Sequence, residues 1–119
     1  MGTILFIDDN LDTLVLYQKA ATIVGHKAII AASGEEALTT VIDILPDLIV
    51  LDLNLPDMSG LTLIEQMRAK ESMRDVPIIM LSASYPGEAA DKAISSGANA
   101  FLSKPISLEA FFAVIDKYL

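Results

Sequence analysis

The strongest constraint on the fold is a regular alternation between short apolar runs and longer segments with helical periodicity. The apolar runs occupy residues 4–7, 27–31, 48–51, 78–81 and 100–102. The runs at 48–51 and 78–81 are apolar at every position, as expected for strands buried on both faces of a sheet. Five strands alternating with five helices predict an α/β fold, a doubly wound parallel sheet with helices on both sides.

The segments between the apolar runs carry the start, stop and spacing signals of helices. Helices are predicted over about 11–24, 33–45, 61–67, 87–96 and 107–119. Gly25 is expected to end the first helix, Ser33 and Glu36 form a capping box for the second, and Pro46 ends it. Ser107 is expected to cap the last helix. The residues predicted to face the core are Leu14, Tyr17, Ala21, Val24, Leu38, Val41, Ile42, Leu45, Leu61, Ile64, Met67, Leu108, Phe111, Phe112, Ile115 and Leu119.

Right-handed crossover connections leave few ways to arrange five parallel strands. The arrangement expected here is the flavodoxin-like (βα)5 sheet with strand order 2-1-3-4-5, which binds ligands at the carboxyl ends of strands 1 and 3. A closed barrel needs about eight such units, for which the chain is too short. The length of 119 residues suits a single domain over residues 1–119.

Charge and composition exclude several classes of function. Sixteen acidic against eight basic side chains give a net charge of −8, which disfavours nucleic acid and favours a basic partner or a cation. The absence of cysteine excludes disulfides, thiol catalysis and cysteine-bound zinc. No apolar run approaches the ~20 residues of a membrane-spanning helix, and the first residues lack the basic start of a signal peptide. We therefore expect a cytoplasmic protein that does not bind membranes.

Polar side chains follow four of the five predicted strands. They are Asp8 and Asp9 after strand 1, Asp52 after strand 3, Ser82 after strand 4 and Lys104 two residues beyond strand 5. Strand 2, the predicted edge strand, ends in Ala31-Ala32 and offers no reactive group. Because the carboxyl ends of parallel strands meet at one edge of a sheet, these polar groups should converge on one crevice.

The predicted crevice combines acids with one ammonium and one hydroxyl group. Three carboxylates brought together repel one another unless a cation lies among them, and hard oxygen ligands suit Mg²⁺ or Mn²⁺. One carboxylate can act as a nucleophile toward a phosphoryl donor and form an acyl phosphate. Lys104 and Ser82 are the residue types that stabilise the oxygens of a transferring phosphoryl group. The residues therefore predict phosphoryl transfer assisted by a divalent metal ion.

Four motifs, in order and over essentially the whole chain, resemble those of response-regulator receiver domains. They are Asp8-Asp9 after Ile4-Leu5-Phe6-Ile7, Asp52 in Asp52-Leu53-Asn54-Leu55-Pro56-Asp57-Met58-Ser59-Gly60, Ser82-Ala83 after Ile78-Ile79-Met80-Leu81, and Lys104-Pro105 after Phe101. Each motif alone is a weak signal, whereas all four together are a strong one. The resemblance implies a phosphoryl-accepting switch of two-component signalling rather than an enzyme in the usual sense.

The resemblance also implies a role for each acid. Asp52 would be the phosphoacceptor, and it would bind Mg²⁺ directly together with Asp9 and the backbone carbonyl of Asn54. Asp8 would assist through a water molecule. Asn54 and Ser84 occupy the two positions that are said to tune the lifetime of the phosphoryl group in this family.

Phosphorylation would be sensed, on the same resemblance, at the ends of strands 4 and 5. Ser82 and Lys104 would bind the phosphoryl oxygens, and Phe101 would be the aromatic switch that repacks the surface of helix 4, strand 5 and helix 5. The Lys104-Pro105 peptide is often cis in this family. The implied partners are a sensor histidine kinase or phosphotransfer protein, and a downstream effector or attached output domain. A homodimer through the same surface is a further possibility.

Plainer structural roles stay open for most of these residues. Asp8 and Asp9 could favour the amino end of the first helix, and Asp52 could belong to a turn. Lys104 could be a solvated turn residue, and Phe101 could be ordinary core.

Three other functions would keep this fold. A receiver-like adaptor without phosphorylation usually loses an acid or the lysine, and this chain keeps them. A small Mg²⁺-dependent phosphohydrolase resembling the haloacid-dehalogenase group needs a second acid two residues after its nucleophile, where this chain has Asn10 or Asn54. A flavodoxin-like cofactor binder needs a phosphate-binding loop after strand 1, where Asp8 and Asp9 would repel the phosphate.

Overall fold

The centre of the structure, a computed structural model that describes residues 2–83 and 86–119, is a parallel sheet of five strands. The strands are β1 (Thr3–Ile7), β2 (Lys27–Ala31), β3 (Leu48–Asp52), β4 (Ile78–Ser82) and β5 (Ala100–Ser103). The helices are α1 (Leu11–Ile23), α2 (Gly34–Asp43), α3 (Gly60–Arg68), α4 (Pro86–Ser96) and α5 (Leu108–Tyr118), with a short 3₁₀ helix over Glu71–Met73 that the sequence did not predict. The strand order is β2-β1-β3-β4-β5 with parallel neighbours, so the predicted fold class and order are confirmed.

Short polar side chains begin the helices by accepting hydrogen bonds from the first turn. Ser33 Oγ accepts from the Glu36 N–H, and Ser107 Oγ accepts from the Ala110 N–H, each at 3.1 Å. Both predicted N-caps are therefore confirmed. Gly25 follows α1 with a φ of 88°, a left-handed backbone conformation that favours glycine. These signals set where each helix starts and stops relative to the sheet.

Alternate residues of each strand point to opposite faces of the sheet and form two apolar clusters. The cluster beneath α2, α3 and α4 includes Leu5, Ile7, Ala37, Ile49, Ile64, Met80 and Ala93. The cluster beneath α1 and α5 includes Ile4, Phe6, Leu14, Tyr17, Val50, Phe111 and Ile115. Helices therefore cover both faces of the sheet, as the apolar character of β3 and β4 predicts.

Five residues that were predicted to face the core are exposed. The exposed members are Val24, Ile42, Leu45, Leu108 and Leu119. All of them lie in a terminal turn of a helix or just outside it. In α2 the predicted Val41 is buried together with Gly34 and Ala37. A rotation of about 100° per residue turns Ile42 away from the sheet, and Ile42 is 72% exposed. Within the described residues no helix has the length and apolar character needed to cross a membrane.

Phe111 lies at the centre of the cluster beneath α1 and α5. Its ring is stacked on Phe6 and Tyr17, with centroid distances of 5.8 and 5.4 Å, and it is 4% exposed. The neighbouring Phe112 meets Phe111 edge-on at 5.7 Å and is half-buried. Although both phenylalanines belong to the predicted stripe, the packing of α5 depends mainly on Phe111.

We predict that Phe111→Ala lowers the free energy of unfolding by about 4 kcal/mol, because it removes a buried ring and leaves a cavity under α5. The matched control, Phe112→Ala, should lower it by less than about half as much, because that ring is partly solvated. Urea unfolding followed by circular dichroism measures both losses. Equal losses would contradict the assignment of Phe111 as the core residue of the pair.

Candidate functional site

The carboxyl ends of β1, β3 and β4 lie side by side at one edge of the sheet. Asp52, the last residue of β3, pairs with Leu81 and so lies beside Ser82 at the end of β4. On the other side, β1 pairs with β3 up to Ile7, and the chain continues directly into Asp8. The polar residues that follow the buried strands therefore meet at this edge.

Asp8, Asp9 and Asp52 form a close group of carboxylates. One oxygen from each lies within 4.8 Å of the other two. Asp8 is 2% exposed and Asp52 is 9% exposed, whereas Asp9 lies at the surface. Ionised carboxylates this close repel one another, and hard oxygens that are open to water on one side suit Mg²⁺ or Mn²⁺. The donor set therefore fits a divalent metal ion.

Lys104 places a positive charge against this group. Its Nζ lies 2.6 Å from Asp8 Oδ2 and 3.5 Å from Asp52 Oδ2. The Lys104–Pro105 peptide is cis, as the family resemblance predicts. The backbone N–H of Lys104 donates to the Ser82 carbonyl at 2.8 Å. The loop after β5 is thus joined to the ends of β1, β3 and β4.

The pKa values of Asp52 and Lys104 are both raised, for different reasons. Burial raises the pKa of Asp52, and the charge of Asp8 adds to the rise, while Lys104 and the Asn54 N–H oppose it. Burial alone would lower the pKa of Lys104, but its hydrogen bond to Asp8 and the charges of Asp52 and Asp8 outweigh this and raise it. Both shifts reflect an excess of negative charge in a partly dehydrated site.

The loop over residues 53–59 holds Asn54 next to Asp52. The Asn54 N–H donates to Asp52 Oδ1 at 3.5 Å, a long hydrogen bond. Asn54 also forms an isolated antiparallel bridge with Ser59, and the Gly60 N–H donates to the Leu53 carbonyl at 2.6 Å. Asn54 is therefore held in a loop whose base is closed by backbone contacts.

Ser82 and Phe101 occupy different surroundings. Ser82 is 0% exposed at the end of β4, beside Asp52. Phe101 lies within β5 opposite Met80, is half-buried, and packs against the cluster beneath α2, α3 and α4 rather than among the acids. Ser84 lies outside the described residues. The structure thus brings the acids, Lys104 and Ser82 to one edge and leaves Phe101 in the core beside it.

Two residues that the sequence analysis did not assign to the site also belong to its surroundings. Tyr17 is buried on α1, burial raises the pKa of its hydroxyl, and the charges of the site act on it as well. The sequence pattern places Tyr17 on the core-facing side of the first helix, and this position could have indicated that it lies near the site. Asp57 accepts hydrogen bonds from Gly34 and Glu35 across the fold. Its partners are too far away in the sequence for any local pattern to indicate them.

Comparison with known proteins finds relatives over nearly the whole chain. Residues 4–116 match the response regulator receiver domain family. The chain is 31% identical over 117 residues to the polar-differentiation response regulator DivK of Brucella ovis, covering 98% of this chain and 95% of that protein. The solved structure of chemotaxis protein CheY4 of Vibrio cholerae matches with a TM-score of 0.95 at 26% identity, covering 100% of this chain and 99% of that one. NtrX of Brucella abortus matches with a TM-score of 0.91 at 28% identity, over 99% of this chain and 27% of that one.

We predict that metal-free Asp52→Asn is more stable at pH 7 than the wild-type protein, by on the order of 1 kcal/mol. A raised pKa means that folding disfavours the ionised Asp52, and asparagine removes this charge while Lys104 keeps its bond to Asp8. The difference should shrink as the pH falls through the raised pKa of Asp52 and vanish below the ordinary value of 3.8, where the acid is neutral in both states.

Urea unfolding in the presence of EDTA, repeated over a series of pH values, measures this difference. Asp43→Asn neutralises an exposed carboxylate on α2 and is the control, with a smaller change in stability expected at pH 7. If Asp52→Asn were the less stable protein at neutral pH, the repulsion inferred at this site would be contradicted.

Proposed function

The chain belongs to the response regulator receiver domain family, and on this premise we propose that it is a phosphorylation switch of two-component signalling. A histidine kinase, a phosphotransfer protein or a small phosphodonor transfers a phosphoryl group to Asp52 in the presence of Mg²⁺. The proposed unit is one receiver domain over residues 1–119, acting in the cytoplasm. Its own chemistry is limited to accepting the phosphoryl group and losing it by self-dephosphorylation.

The position of the Asp52 carboxylate is the observation that carries this proposal. One of its oxygens belongs to the group that lies within 4.8 Å of Asp8 and Asp9, and Lys104 Nζ is 3.5 Å away. An acid with a purely structural role gains nothing from burial beside like charges, because both burial and repulsion raise its free energy when ionised. The arrangement supports a nucleophile that works with a metal ion and an ammonium group.

The proposed metal ligands come from two loops. Asp9, Asp52 and the backbone carbonyl of Asn54 would hold Mg²⁺ or Mn²⁺ directly, and Asp8 would do so through water. Bound there, the ion supplies positive charge that keeps Asp52 ionised and offsets the charge of the phosphoryl oxygens.

The hydrogen bonds of Asp8 support its indirect role. Its Oδ2 accepts from Lys104 Nζ at 2.6 Å, and its Oδ1 accepts from the Asn10 N–H at 2.9 Å. With both oxygens engaged, Asp8 is less suited than the exposed Asp9 to bind an ion directly. Asp8 instead holds Lys104 beside the reacting carboxylate.

Asp52 reacts through one carboxylate oxygen, which forms a bond to phosphorus while the bond from phosphorus to the donor nitrogen or oxygen breaks. The leaving group keeps the electron pair of the broken bond, and Asp52 becomes an acyl phosphate. Lys104, which contacts both Asp8 and Asp52, would neutralise one phosphoryl oxygen, and Ser82 would donate to another.

The phosphoryl group would then be sensed through Ser82 and Phe101. When the Ser82 hydroxyl moves toward the phosphoryl group, the half-buried ring of Phe101 gains room to move inward from β5. That movement would alter the surface of α4, β5 and α5. An effector protein, an attached output domain or a second copy of the chain would bind there, and the net charge of −8 argues against nucleic acid.

We predict that incubation with Mg²⁺ and acetyl phosphate adds one phosphoryl group to the protein and none to Asp52→Asn, because the nucleophile is then missing. Intact-mass spectrometry measures both, with EDTA as the metal-free control. A gain in the mutant, or a gain without metal, would contradict the assignment. No gain at all, together with no binding of beryllofluoride, would favour a receiver-like adaptor that is not phosphorylated.

We predict that Lys104→Met slows this phosphorylation by about a hundredfold, because a charged donor to the phosphoryl group is lost. Mg²⁺ binding should be unchanged or tighter, since the ammonium no longer competes for the carboxylates of Asp8 and Asp52. Rates from mass spectrometry and affinities from titration calorimetry separate the two effects. Lys70→Met removes an exposed lysine and is the control, in which neither the phosphorylation rate nor the Mg²⁺ affinity should change. If Lys104→Met lost phosphorylation and Mg²⁺ affinity together, the proposed role of Lys104 would be contradicted.

A further inference from the structure

Asp57 lies at the tip of the loop over residues 53–59 and reaches across to the amino end of α2. Its Oδ1 accepts from the Gly34 N–H and its Oδ2 from the Glu35 N–H, each at 2.9 Å. The partners are 23 and 22 residues away along the chain. The hydrogen bonds from Glu35 and Gly34 lower the pKa of Asp57, so its carboxylate is charged at neutral pH and complements the positive end of the helix.

Ser33 serves the same helix end locally. Its Oγ accepts from the Glu36 N–H, and its carbonyl accepts from the Ala37 N–H, each at 3.1 Å. The first N–H groups of α2 are thus divided between Ser33, which adjoins the helix, and Asp57, which belongs to a distant loop. Unlike Ser33, Asp57 therefore connects α2 to the loop that follows β3.

Met58 strengthens the same link by packing. A Cβ atom added at Gly34 would lie 2.5 Å from Met58 Sδ, so the Met58 side chain packs directly on Gly34 in space that a larger residue would occupy. Met58 also packs against the apolar cluster beneath α2, α3 and α4. The tip of the loop is therefore fixed to α2 by one bidentate carboxylate and one apolar side chain.

We propose that Asp57 is a positioning residue for the metal site, since it fixes the loop that holds Asn54 beside Asp52. The inference rests on the proposed function, in which the Asn54 carbonyl is a metal ligand. Without Asp57 the loop would lose its hydrogen bonds to α2 and would be held by the packing of Met58 and, at its base, by the contacts of Asn54 with Ser59 and of Leu53 with Gly60. Metal binding would then have to order the loop as well, and the Mg²⁺ affinity would be lower.

The test compares Asp57→Ala with Ser33→Ala, because each removes a cap from α2 but only the first releases the loop. Mg²⁺ affinity is measured by titration calorimetry on the 119-residue chain, after urea unfolding has shown that each variant is folded. We expect Asp57→Ala to bind Mg²⁺ about tenfold more weakly than the wild type, which is the smaller end of the loss seen when a group that orients a metal ligand is removed. Ser33→Ala should bind Mg²⁺ like the wild type. In metal-free protein, the Asn54 and Ser59 amides should exchange faster with solvent only in Asp57→Ala.

Equal Mg²⁺ affinity in the wild type and Asp57→Ala, or equal weakening in both variants, would overturn the inference and leave Asp57 as a helix cap. If Asp57→Ala does not fold, Asp57→Asn keeps one acceptor oxygen and is measured in its place, with a smaller loss expected. A wild-type chain that binds no Mg²⁺ would overturn the proposed function and this inference together. A selective effect on the variant is therefore distinguishable from a failure of the proposed function.

Discussion

One edge of the sheet has to accommodate three neighbouring carboxylates, those of Asp8, Asp9 and Asp52. Dehydrating an ionised carboxylate costs several kcal/mol unless a nearby charge compensates. Lys104 compensates the charges of Asp8 and Asp52 unequally, because its Nζ is 2.6 Å from Asp8 Oδ2 but 3.5 Å from Asp52 Oδ2. Asp8 is consequently well paired, while burial raises the pKa of Asp52 and the charge of Asp8 adds to the rise. This arrangement leaves an excess of negative charge at the site, which a further cation would offset.

The sheet beneath this edge explains how such a site is tolerated. Every residue of β3 and β4 is buried, and the apolar area removed from water stabilises the fold by roughly 25 cal/mol per Å². Because the strands are parallel, the loops after β1, β3 and β5 all leave from the same edge. Asp57 connects the loop after β3 to α2. The charged site therefore rests on a rigid apolar base and is tied to a helix on one side.

Arg68 shows which features the sequence could not indicate. From the sequence it is only one of several basic residues, and it falls at the end of a predicted helix. In the structure its guanidinium donates to the carbonyls of Gly97, Met73 and Val76 and to the side chain of Asn99, at distances of 2.6 to 3.0 Å. These bonds join α3 to the turn before β5. The most distant partner is 31 residues away, so no local spacing signals the contact.

Local sequence signals were sufficient for the fold class, the strand order and the polar residues at the strand ends, because apolar periodicity and helix caps are local and crossover handedness limits the topology. The three-dimensional packing was needed to show that Lys104 pairs more closely with Asp8 than with Asp52, that Phe111 rather than Phe112 fills the core, and that Asp57 caps a helix in another part of the chain. These features depend on the distances between groups that are far apart in the sequence, such as the 2.6 and 3.5 Å that separate Lys104 Nζ from Asp8 and Asp52. The packing of helices on the sheet sets those distances, and residue spacing along the chain does not.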